Sequence, residues 1–130
     1  MADAARSAGC TVDQIAKSIV FRRDGGGPPV VVVARGGQRV NEVKGNACLG
    51  ATVRKADPEY VRATTGFAIG GVAPLGHTGP VTLLLDAGLL EQSAVWAAAG
   101  APDAVVRLTP ADLVRLTGAP PVDVTGQLTG

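Results

Sequence analysis

Along residues 14–22, QIAKSIVFR, β-branched and aromatic side chains recur over the length of a strand. A period of two puts Ile15, Lys17, Ile19 and Phe21 on one face and Ala16, Ser18 and Val20 on the other. Lys17 therefore shares the face that carries the largest apolar groups. The run DGGGPP at 24–29 breaks the pattern as a turn, and VVVVA at 30–34 follows as a second strand, which predicts a hairpin. An unbroken valine run predicts burial on both faces.

Elsewhere the pattern is less even. Residues 2–8 read as a short alanine-rich helix stopped by Gly9, and 40–49 as a weak helix interrupted by Gly45-Asn46 and closed by Gly50. A short strand is expected at 51–55. Asp57 then caps a firmer helix, with Pro58 in its first turn, Glu59 near its positive end and Gly66 beyond its last turn. Residues 80–85 predict a strand ending at Asp86, 86–92 a single helical turn, and 93–100 with 104–108 a strand pair joined by Ala101-Pro102-Asp103. Thr109, Pro110, Asp112 and Gly118 delimit a helix by cap, first-turn proline, acid and terminal glycine. The remainder, from 119 to 130, is expected to be a loosely held tail. Six strands that follow one another more often than they alternate with helices predict an α+β domain: a mixed, curved, barrel-like sheet with short helices around it. A doubly wound fold ranks second.

Composition narrows the function classes. A chain of 130 residues fits one domain, spanning 1–130. A formal net charge of +1 argues against wrapping a DNA duplex, which demands a broad basic surface, though not against holding one end of a nucleic acid. Cys10 and Cys48 have no metal-ligand or disulfide spacing, and the sole histidine, His77, excludes a multi-histidine metal site. No cofactor is signalled. No basic leader precedes an apolar run, and no apolar stretch approaches the roughly 18 residues of a membrane span, so a cytoplasmic protein is expected.

The unusual stretch is TGFAIGGVAPLGH at 65–77, with four glycines, one proline and no charged residue. Such a segment is a loop, yet an apolar one, and a loop needs partners for its backbone groups. Its amides and carbonyls are expected to face a cavity that binds something small and polar. Gly70 and Gly71 let a ligand approach the backbone, and Pro74 stiffens the segment; the competing reading is a plain glycine-rich turn. It is neither a Walker loop nor a dinucleotide fingerprint. Lys17, in mid-strand among apolar neighbours, wants an anion such as phosphate, unless it lies on a solvated edge. His77 either faces the pocket or braces the turn, Asp86 either caps a helix or lines the site, and Gly100 either opens a pocket or permits a turn.

Together these segments resemble the YbaK-type aminoacyl-tRNA deacylases, free-standing relatives of the editing domain of bacterial prolyl-tRNA synthetases. The matching residues are QIAKSIVF at 14–21, TGF at 65–67 leading to GGVAPLGH at 70–77, and LTPADLVRLTG at 108–118. Relatives usually carry a further helix and strand ahead of residues 2–9, so either a truncated chain or a shorter pocket wall is expected here. What the resemblance implies is hydrolysis of the ester joining a small wrong amino acid to a tRNA, most often one for proline. A synthetase is a possible second partner, and no membrane or DNA is involved. It implies that Lys17 sits near the phosphate of the terminal adenosine, and that Gly70 and Gly71 act with it on the ester carbonyl. The substrate-binding candidates are Ser18, Ile69, Val72, Ala73, Pro74, His77, Asp86 and Gly100. A catalytically idle module that binds aminoacyl-adenosine is the alternative.

Overall fold

The computed structural model describes residues 9–68, 72–74, 76–98 and 105–126. Its frame is one seven-stranded mixed sheet, curved and unclosed, in the order β6-β5-β1-β2-β4-β7, with β3 paired to β1 off that path. The strands are β1 (Ile15–Arg23), β2 (Val30–Arg35), β3 (Val53–Lys55), β4 (Thr82–Asp86), β5 (Val95–Ala98), β6 (Val105–Leu108) and β7 (Pro121–Val122). Three helices, α1 (Glu42–Leu49), α2 (Pro58–Thr65) and α3 (Pro110–Thr117), join them. The α+β class and the mixed, curved sheet are as the pattern predicts.

The hairpin β1–β2 is the spine. Gly25, Gly26 and Gly27 take φ of 86°, 91° and 110°, a left-handed run that side chains disfavour, and this turns the chain into the antiparallel pairing. Val30 to Val33 are at most 2% exposed because each face of β2 meets a separate apolar cluster. Val31 and Val33 join Ala16, Val20, Val61, Val72, Leu85 and Leu113 on one side. Val30, Val32 and Ala34 join Phe21, Val53, Leu84 and Val124 on the other. Burying a valine-sized side chain stabilises by about 1.5–3 kcal/mol, so this strand alone anchors both layers.

The helix signals hold where caps specified them. The Asp57 carboxylate accepts from Tyr60 N–H at 2.8 Å and Thr109 Oγ from Asp112 N–H at 3.1 Å, while Gly66 and Gly118 end α2 and α3 in the left-handed region. Helix α1 runs through Gly45-Asn46 without a break: Asn41 caps it, and Asn46 Oδ1 accepts from Val53 N–H at 3.0 Å, tying the helix to β3. The expected helix at 2–8 lies outside the described residues, as does the segment joining β5 to β6.

One expectation is corrected. Residues 119–126 are not a loose tail: Ala119, Val124 and Thr125 are at most 5% exposed, and β7 adds a parallel strand to β4. Val124 O accepts from Asn41 N–H at 2.7 Å, and Thr125 bridges to Val40. The segment closes the second cluster over α1, which gives Val124 its burial.

Candidate functional site

Lys17 and Ser18 are neighbours in sequence that open on opposite faces of β1, as the period of two requires. Lys17 lies opposite Ala34 in the face of the second cluster, and Ser18 opposite Val33 in the face of the first. Beside Lys17 the chain leaves β2, turns at Gly36-Gly37 and enters α1, enclosing a groove of about 1010 Å³. Ile19, Phe21, Val40 and Val43 supply its apolar lining; Lys17, Arg39 and Lys55 supply three cations, and Glu42 a carboxylate. The Lys17 ammonium donates to the Gln38 carbonyl. Burial, and then the Lys55 and Arg39 charges, hold its pKa below the usual lysine value, with Asp86 opposing. This is a cation that gains by meeting an anion.

The edge of β1 away from β2 is only partly paired among the described residues. Gly36 N–H donates to Ile15 O at 2.7 Å toward β2, whereas Ala56 N–H donates to Val20 O at 3.1 Å from the opposite edge. Antiparallel alternation therefore points the Ser18 amide and carbonyl toward that opposite edge, as for Val20. There β5 pairs with Ile15 and Ala16, and β3 begins only at Phe21. Among the described residues no strand pairs with residues 17–19 along this edge. Ser18 Oγ is also buried without a hydrogen-bond partner, a cost of about 1–3 kcal/mol that a ligand would relieve.

The loop after α2 covers that same side. Val72 packs in the first cluster, and Ala73 and Pro74 are buried beside it. Thr78 N–H donates to Thr65 O at 3.1 Å and Phe67 N–H to Thr65 Oγ at 3.1 Å, which fixes both ends of the loop to the end of α2. The His77 ring stands edge-on to Phe67, with centroids 5.7 Å apart, and its Nε2 is buried without a partner. Burial holds the His77 pKa below 6.5, against a smaller opposing pull from the Ala73 carbonyl. His77 is thus a neutral ring with a free polar nitrogen.

That depression has a sign in stability. The unfolded chain takes up a proton near pH 6.5 before the folded protein does, so acidification through that value favours unfolding until the lower folded pKa is also passed. His77→Gln, which cannot titrate, is expected to lose less stability than the wild type between about pH 7.5 and about pH 5 in urea unfolding. An identical pH dependence in both proteins would count against the buried neutral ring.

The remaining candidates divide. Asp86 lies near Lys17 but is 1% exposed, and its oxygens accept from Arg35 N–H at 3.1 Å, Arg35 Nε at 2.8 Å and Gly88 N–H at 3.0 Å. Those bonds occupy it inside the fold. Ile69, Gly70, Gly71 and Gly100 lie outside the described residues. Sequence reasoning missed Arg39 and Lys55, because one follows a turn and the other ends a three-residue strand; only the closure of the groove brings them to Lys17.

Residues 1–116 match the aminoacyl-tRNA editing domain. The chain belongs to that family. It is 33% identical over 110 residues to the uncharacterized protein YwhH of Bacillus subtilis (strain 168), spanning 85% of this chain and 69% of that protein. It is 36% identical over 108 residues to a proline–tRNA ligase of Nitratidesulfovibrio vulgaris (strain DP4), but spans only 18% of that enzyme. A solved structure described as a candidate trans-editing enzyme for prolyl tRNA synthetase superposes with a TM-score of 0.90 at 42% identity, covering 96% of this chain and 78% of that one. The editing-domain assignment agrees with the YbaK-type resemblance carried by residues 14–21, 65–77 and 108–118.

Proposed function

We propose that this editing domain is a trans-acting deacylase that hydrolyses the ester of a mischarged tRNA, most readily tRNA(Pro) bearing a small wrong amino acid, in the cytoplasm. The observation that carries the reading is the arrangement on β1: an under-neutralised ammonium on one face, and on the other a serine hydroxyl buried without a hydrogen-bond partner, where no described strand pairs with residues 17–19 along the edge away from β2. A terminal nucleotide with its phosphate at Lys17 would direct its ester toward Ser18 and the face that Val72 covers. Ser18, Ile69, Val72, Ala73, Pro74 and His77 would line the aminoacyl side, with Gly100 near it.

The chemistry asked of the protein is positioning and charge stabilisation. Water adds to the ester carbonyl, the carbonyl oxygen gains charge, and the carbon–oxygen bond to the ribose then breaks as the ribose oxygen takes a proton. The products are a free amino acid and deacylated tRNA. Amides of Gly70 and Gly71 are the assigned donors to the oxyanion, each donor of this kind contributing about 3–4 kcal/mol in well-studied enzymes. Ser18 Oγ and His77 Nε2 would orient the amino acid.

A panel of tRNA(Pro) charged with alanine, serine, cysteine, threonine or proline tests this directly. Release of at least one small non-proline amino acid well above the spontaneous rate, with prolyl-tRNA(Pro) spared, is expected. Neighbouring substrates will overlap, since one methylene discriminates by only about 1–3 kcal/mol. Binding of charged tRNA without turnover would instead identify an idle sensor module, and overlap with prolyl-tRNA(Pro) hydrolysis would defeat the editing assignment.

A further inference from the structure

The groove beside Lys17 holds more positive charge than one phosphate can neutralise. Lys17, Arg39 and Lys55 line it against the carboxylate of Glu42, and none of the three cations pairs with a described carboxylate. A single phosphodiester, with one negative charge, leaves that excess unbalanced; two in succession cancel it. Like charges gathered in a concavity raise each other's energy unless an anion is bound, so the arrangement selects for a ligand carrying more than one.

Size and lining agree. A space of about 1010 Å³ lies at the upper end of what whole small ligands occupy, leaving room beyond one nucleotide. Val43 stands 57% exposed on the rim, an apolar group with no described cover. Single-stranded nucleic acids bind through this combination, a basic track for the backbone beside apolar surface for base or sugar.

Building on the deacylase reading, we propose that Arg39 and Lys55 hold the phosphate that precedes the terminal nucleotide, so that the groove takes two successive phosphates of a single-stranded RNA end. Lys17 takes the phosphate nearer the ester. Val40 and Val43 pack against the penultimate nucleoside. The domain thereby reads a short run of unpaired acceptor strand rather than a lone aminoacyl-adenosine.

The test is equilibrium binding of two uncharged probes, a fluorescent single-stranded CCA-ended RNA and AMP, by wild type and by the Arg39→Gln/Lys55→Gln double variant. Both side chains are exposed, and glutamine keeps most of each stem, so the fold should survive. Wild type is expected to bind the RNA more tightly than AMP. The double variant should bring the ratio of the two affinities down by about tenfold or more, the size expected for loss of charge-assisted bonds. Its salt slope on the RNA should fall by about 0.7, the amount for one phosphate contact on a single strand. An unchanged ratio and slope would overturn the proposal. Because these probes carry no ester, a protein that binds them as expected yet hydrolyses no mischarged tRNA would overturn the deacylase reading while sustaining this one.

Discussion

Lys17→Ala is expected to lower single-turnover deacylation of a mischarged tRNA by about 10²-fold or more while leaving the protein folded and no less stable. The two halves of this result have one cause. Lys17 is partly desolvated, lies beside the like charges of Lys55 and Arg39, and has the Gln38 carbonyl as its hydrogen-bond acceptor. In the free protein its charge is held at a cost, so removing it gives up little. On the proposed reading, the same charge meets a phosphate in the complex and fixes the register of the ester beside Ser18. A displacement of the reacting group by about 1 Å is enough to cost about 10²-fold in rate. Loss of activity with an unchanged urea midpoint supports the assignment. Full single-turnover activity in the folded variant would remove Lys17 from the site.

Much of this was legible in the sequence for local reasons. The turn glycines at 25–27, the caps Asp57 and Thr109 and the closing glycines 66 and 118 act within a few residues of themselves, so the hairpin and two helices follow from short windows. The opposite orientation of Lys17 and Ser18 needed only the period of two. What the pattern did not carry was pairing at long range. Residues 119–126 hold only scattered apolar positions among two prolines, polar residues and one glycine, and their order comes from parallel contact with β4, a strand more than 30 residues earlier. Likewise nothing near Arg39 or Lys55 in the sequence announces the groove, because each comes to line it only when β3 and the turn after β2 flank β1. Helix α1 is firmer than its propensity suggests because the Asn41 cap and the Asn46 bond to Val53 outweigh the weakness at Gly45-Asn46.

Asp86→Ala is expected to cost about 3–5 kcal/mol in urea unfolding, the usual result of removing one partner from a buried charge pair. The carboxylate is 1% exposed and holds three donors: two from Arg35 at the end of β2, and the Gly88 amide in the turn that follows β4. Arg35 in turn donates to Thr125 Oγ at 2.9 Å, so a single carboxylate links the central strands to the C-terminal segment that closes the core. Its loss would leave a guanidinium with 21% of its side chain exposed and two backbone amides without acceptors. Against a total stability of about 5–15 kcal/mol this can unfold the protein, so Asp86→Asn, which keeps one acceptor oxygen, supplies the second measurement. The asparagine variant should be destabilised by less and, where folded, should retain the wild-type KM for mischarged tRNA. A stable Asp86→Ala protein, or an Asp86→Asn protein of normal stability with a raised KM, would move Asp86 from the frame of the groove to its substrate-binding surface.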